Sequence, residues 1–189
     1  MENNTFSFNV FNDYAKLGIS KAIKKLNVKN LTPVFICIGS DLVLGDSLGP
    51  LVGTKLKENN KHLFVYGTLN YPVTAKEIAV AKSYIKSTHP NSIIIAIDAA
   101  IGEKDDVGII KVMNRGLRPG LGVDKNLGTI GDISIIGVVA GKSSKNYDLF
   151  NLTRLNLVYK MAENIAFGIE KYLSYLTNRY TFLPSSFGA

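Results

Sequence analysis

Two aspartates in this sequence stand where a protein sheet exposes its working edge. Asp46 follows the unbroken apolar run of residues 34–38, VFICI, and a turn that carries Gly39 and Gly45. Asp98 follows a second such run, residues 92–97, SIIIAI, with no turn between. A carboxylate at either place can cap a helix, end a strand, hold a cation or move a proton. Asp46 and Ser47 are both good N-caps for the helix expected over residues 48–58, and Asp98 taken alone reads as a strand terminator. Topology makes the pair more informative than either member. In a right-handed βαβαβ unit the ends of the first and third strands share one sheet edge, which brings Asp98 toward Asp46. Close carboxylates cannot both ionise easily, so such a pair holds one proton. It can then serve as base toward water and acid toward a leaving amine, the requirements of peptide hydrolysis.

The absent residue types narrow the chemistry. His62 and His89 are the only two histidines, and each precedes a strand, so both belong to the edge opposite the aspartates. That leaves no histidine for a Ser-His-Asp or Cys-His arrangement, and it argues against zinc or nickel, which favour imidazole and thiolate. Magnesium or calcium held by carboxylates and water stays open. Gly45 and Gly49 do not make a dinucleotide fingerprint and no Walker A pattern is present, so no cofactor is expected. Cys37, the single cysteine, lies inside an apolar strand and reads as core; it excludes an internal disulfide and fits a reducing cytosol.

The elements that must position the aspartates follow an α/β alternation. Residues 12–27 read as an amphipathic helix with Tyr14, Leu17, Ala22, Ile23 and Leu26 apolar, and residues 62–66 as a second strand. Thr74 and Glu77 have capping-box spacing before a helix to about residue 87. Strands are expected over 107–113 and 133–139, a long helix over 151–176, and a tail over 177–189. Residues 116–123, GLRPGLGV, are too rich in Gly and Pro for a helix or strand interior; they form either a wall of the cleft or an ordinary surface connection. The expected architecture is a single three-layer α/β/α domain over residues 1–189 with a mainly parallel sheet. A length of 189 residues supports one such core. Hydrophobic residues at 46% and charged ones at 20% place the chain among globular proteins. No apolar run approaches the roughly 18 residues of a membrane span, and the first residues do not form a secretory signal, so no membrane partner is expected. The charge of +7 comes from lysines spread along the chain, read as a solvated surface with no nucleic-acid partner.

GDSLGPLV at 45–52, with Gly39 six residues before it, resembles the segment of the germination protease of spore-forming bacteria that carries an essential aspartate. IIIAIDAA at 93–100 resembles that protease around its second important aspartate, and residues 119–123 resemble its Pro-Gly-x-Gly-Val loop. The same strand-turn segments are similar, more distantly, to hydrogenase maturation endopeptidases, where the Asp46 and Asp98 positions help to bind a metal completed by a histidine. Arg118 stands where the larger protease has a histidine. The sequence also resembles the short YyaC-type sporulation proteins, which share that fold. These resemblances imply a sporulation-linked endopeptidase with Asp46 and Asp98 as the catalytic pair. Gly39, Ser40, Arg118, Gly120 and Gly122 are expected around a protein or peptide substrate, with Asp41 as an accessory carboxylate that has no match in the larger protease, in the cytoplasm of a mother cell or forespore. The rival expectation is a catalytically silent protein that keeps the peptidase fold as a binding scaffold during sporulation; self-association is compatible with both.

Overall fold

A computed structural model describes residues 4–118, 128–142 and 152–180. Along the chain the elements are β1 (Thr5–Asn9), α1 (Ala15–Leu26), β2 (Thr32–Cys37), α2 (Leu48–Asn59), β3 (Val65–Tyr66), α3 (Ile78–Thr88), β4 (Ser92–Gly102), β5 (Ile109–Met113), β6 (Ile133–Gly141) and α4 (Leu155–Tyr180). A one-turn 3₁₀ helix, Leu44–Ser47, leads directly into α2. The six strands form one sheet in the order β1-β5-β6-β4-β2-β3. β3, β2, β4 and β6 are parallel, while β5 runs against both β6 and β1, so only β5 opposes the common direction. The fold is therefore the expected three-layer α/β/α arrangement with a mainly parallel sheet.

The unbroken apolar runs of β2 and β4 are explained by cover on both faces. Phe35, Cys37, Ile95 and Ile97 point to the layer of α1, α2 and α4, and Val34, Ile36, Ile38 and Ala96 to the layer of α3. α4 is the main buttress: Val158, Met161, Ala162, Ile165, Ala166 and Ile169 recur at helical spacing and are all buried. Fully burying each larger side chain contributes about 1.5–3 kcal/mol, and α4 packs chiefly against α1 and α2, which holds both helices on the sheet.

Several boundaries differ from the sequence expectation. β1 is an added strand, with Phe6 and Phe8 packed on the core and Thr5, Ser7 and Asn9 outward. α1 buries Ala15, Ile19, Ala22 and Ile23, whereas Tyr14 and Leu17 are exposed, because α4 and the sheet approach the opposite side of the helix. Only residues 65–66 of the expected 62–66 strand pair with β2. Thr74 and Glu77 do bond each other, but in the turn before α3 rather than at its first residue. β4 continues five residues past Ile97, so Asp98 lies within the strand instead of ending it. α4 runs on to Tyr180; residues 181–189 of the expected tail lie outside the described residues.

The entry to α2 depends on a backbone contact. A Cβ on Gly49 would sit 2.1 Å from the Ile38 carbonyl oxygen, closer than any side chain can come, so glycine lets the helix start against the end of β2. Gly49→Ala is expected to cost on the order of 3 kcal/mol or more by forcing α2 off the strand, measured as a lowered urea midpoint. An unchanged midpoint would refute that close approach.

Candidate functional site

Strand order places a crevice between β2 and β4. From β2 the chain passes outward through α2 to β3, then returns through α3 to β4 on the other side of β2, and the two helices cover opposite faces. This reversal is the topological switch point at which open α/β sheets form their sites. β2 stops at Cys37, paired with Ile97, and beyond it β4 pairs only with β6. Asp98, opposite Ile136 of β6, is thus the first β4 residue with no β2 partner. By alternation with Ala96 its side chain belongs to the α3 face.

Asp46 reaches this edge through a tight reversal. Gly39 takes φ +140°, and a Cβ there would lie 2.0 Å from the Asp46 carbonyl oxygen. The Ser40 N–H donates to that same carbonyl at 3.2 Å. Helix capping is not what Asp46 does: neither the 3₁₀ turn nor α2 has a side-chain cap, and the Ser47 hydroxyl donates backward to the Leu44 carbonyl at 2.7 Å. On the far side, Val73 bridges Ile38 and its carbonyl accepts from the Gly39 N–H at 3.0 Å, closing the edge of β2. Sequence reasoning missed Val73, since no local pattern marks an isolated bridge of this kind.

Electrostatics links the two carboxyls. Burial pushes the Asp98 pKa up, the nearby Asp46 charge pushes it further, and a bond from the Ala99 N–H at 2.8 Å pulls it partly back, leaving it at about 8. Burial also raises Asp46, opposed by the Ser40 amide. Both carboxyls are thus biased toward the protonated form, Asp98 the more strongly. A protonated carboxyl beside an ionised one offers a donor and several acceptors side by side, and the same arrangement can hand a proton in either direction.

The other residues singled out in the sequence are distributed around this pair. Gly39 is buried and Ser40 half-buried, its hydroxyl accepting from the Leu42 N–H at 3.2 Å; Asp41 is exposed beside them. Arg118 is exposed, next to Leu117, which bridges Ile130 over the α3 face, and among the described residues no ion pair joins it to either aspartate. Gly120 and Gly122 lie outside the described residues. His62 is exposed, and His89 sits at the amino end of β4, its Nε2 2.8 Å from the Tyr66 hydroxyl. Ser92 to Asp98 is six residues of strand, on the order of 20 Å, so the imidazoles and the aspartates occupy opposite edges. Cys37 faces the core, where burial pushes its thiol up. Among the described residues no group of three or more His, Cys, Asp and Glu is gathered, so the imidazole and thiolate donors of a zinc or nickel centre do not fit here.

Fold and edge together define a three-layer α/β/α protein with a carboxyl pair at its switch point. The chain belongs to the family described as "Protein of unknown function (DUF1256)", which it matches over residues 8–168. It is 41% identical over 152 residues to the uncharacterized protein YyaC of Bacillus subtilis (strain 168), spanning 80% of this chain and 73% of that protein. Among solved structures it is similar to the NiFe hydrogenase maturation protease HycI of Thermococcus kodakarensis KOD1, with 20% identity and a TM-score of 0.44 over 76% of this chain and 93% of that one.

The unfolded chain gives up the Asp98 proton near 3.8, whereas the folded chain keeps it to about 8. Folding therefore loses stability as pH rises between those values, while below them this group contributes no pH dependence. Asp98→Asn cannot ionise and escapes the loss. Its advantage over the natural protein is expected to be near zero at pH 4 and on the order of 3 kcal/mol at pH 8, discounted from about 1.4 kcal/mol per unit for partial access to water. Urea unfolding of both proteins at the two pH values measures it; an equal gap at both would show that Asp98 ionises normally.

Proposed function

We propose that this protein grips an extended protein or peptide segment with the Asp46 and Asp98 pair, as a binding protein on a peptidase-like scaffold in the cytoplasm of a spore-forming bacterium. What supports this reading is the geometry of the sheet edge, where Asp98 is the first β4 residue without a β2 partner and the turn at Gly39 folds Asp46 back toward it, together with the burial and charge that favour a proton on Asp98. Protonated Asp98 donates to a peptide carbonyl while ionised Asp46 accepts from a neighbouring peptide N–H, so the pair complements the backbone whatever its side chains. Gly39, Ser40 and Asp41 supply contacts from the turn, and Arg118 supplies one from the segment after β5. The likeness of GDSLGPLV and IIIAIDAA to germination protease segments supports a protein ligand over a small molecule. Resemblance to YyaC-type sporulation proteins supports the sporulation setting.

Hydrolysis is the second reading, favoured by the charge coupling between the two carboxyls. Ionised Asp46 takes a proton from water as the water oxygen attacks the peptide carbon, and Asp98 gives its proton to the carbonyl oxygen. When the C–N bond breaks, Asp46 passes its proton to the amine and Asp98 recovers one from the diol, which restores the pair. Binding asks for less, since hydrolysis also needs a seated water and a shaped place for the scissile bond.

Both readings meet one experiment. The protein, Asp46→Asn and Asp98→Asn are incubated with proteins from sporulating cells at pH 6 and pH 9, with and without chelator, and bound and cleaved species are identified by mass spectrometry. Binding predicts an intact partner held by the natural protein at pH 6, released at pH 9 as Asp98 ionises, and lost from Asp46→Asn, with no cleavage. Defined products that survive chelation and vanish in Asp46→Asn would replace binding with hydrolysis. A partner retained equally by all three proteins would remove the pair from the account.

A further inference from the structure

From the solvent face shared by α1, β1 and α4 we infer that this protein docks an acidic, partly apolar segment of a protein partner, through lysines laid against aromatic rings. Residues 14–40 contain Lys16, Lys21, Lys24, Lys25 and Lys29 and no Asp or Glu. Lys21, Lys24, Lys25 and Lys29 are exposed, and neither of the two ion pairs among the described residues involves any of the five. Among the described residues no carboxylate is ion-paired with them.

Folding concentrates what the sequence spreads out. The Lys24 ammonium lies 4.6 Å from the Tyr175 ring centroid, Lys16 and Lys171 both stand 5.3 Å from that of Phe167, and Lys25 stands 5.4 Å from that of Phe6. Such contacts fix an ammonium on a ring without neutralising it. The lysines and rings come from elements far apart in sequence, so no linear stripe announces them. At the end of α1 an open groove is lined by Lys21, Lys24, Lys25, Asn27, Val28 and Asn30. The Asn27 amide is already committed to the Leu31 carbonyl and the Tyr172 hydroxyl, which leaves the lysines as the groove's main free donors.

The chemistry of the face selects the partner. Phe167 and Tyr175 are 37% and 42% exposed, apolar area between charges that suits carboxylates interleaved with apolar side chains. A phosphate backbone is served best by unbroken positive charge, and here Glu163 and Glu170 fall on the same side of α4 as Phe167 and Lys171 by helical spacing. The groove lies just before β2, at the amino edge of the sheet, so this face is separate from Asp46 and Asp98.

The test uses the full chain and a fluorescent peptide in which Glu alternates with Leu and Phe, followed by anisotropy at about 150 mM salt. Saturable binding is expected, weakened roughly tenfold or more by combined Lys21→Glu, Lys24→Glu and Lys25→Glu and unchanged by Lys86→Glu on the far layer of the sheet. The corresponding Lys→Gln set, with circular dichroism for folding, covers misfolding of the reversed variant. No binding, or binding indifferent to both lysine sets, overturns the proposal. Tighter binding of duplex DNA or of phosphatidylglycerol vesicles than of the peptide overturns it in favour of a nucleic acid or a membrane surface.

Discussion

The molecule depends on how closely the chain after β2 can fold back on the strand it has just left. Two backbone approaches make that reversal: Gly39 against the Asp46 carbonyl and Gly49 against the Ile38 carbonyl. Each removes the space a Cβ would need. Together they press the 3₁₀ turn and the start of α2 onto the end of β2, which brings one carboxyl to the sheet edge instead of spending it on a helix terminus. Leu48, at the start of that helix, then packs toward Gly137 and Met161, tying the turn to β6 and α4.

The second condition is a difference in strand length. β4 outruns β2, so its backbone past Ile97 is paired on one side only, and the α3 face there carries an aspartate where the rhythm of Ile94 and Ala96 would place another apolar residue. Because Asp46 is near, the cost of burying two like charges falls on the pair as a whole, and a retained proton relieves it. The arrangement is a local exception to an otherwise consistent apolar pattern, which is where function concentrates in a folded sequence.

The parts of this structure legible in the sequence are those written in contiguous runs. Residues 34–38 and 92–97 announce buried parallel strands, residues 151–176 announce a buttressing helix, and their order brings Asp46 and Asp98 to one edge. What was hidden depends on partners distant in the chain. Phe6 and Phe8 alternate, but five residues are too few to declare a strand until β5 is there to receive them. Tyr14 and Leu17 look as apolar as Ile19 and Ile23, and only the side from which α4 approaches decides which are covered. The extension of β4 to Gly102 was obscured by Asp98 and Gly102 themselves, residue types that usually end a strand. The ring contacts of Lys16 and Lys24 likewise exist only once α1 lies beside α4.

The register of β1 carries a consequence for assembly. Thr5 pairs with Met113 and Asn9 with Ile109, so the earliest strand waits for a partner made about a hundred residues later. At synthesis rates of about 5–20 residues per second, that delay is on the order of ten seconds. Until then Phe6 and Phe8 have no sheet to cover, while β2, α2 and β3 already have one another. Contacts of such long separation carry a loop-closure entropy cost that nearer pairings such as β2 with β3 largely avoid. A nascent chain would meanwhile expose an aromatic, β-prone segment to its surroundings, and chaperone capture during translation is the natural protection for it.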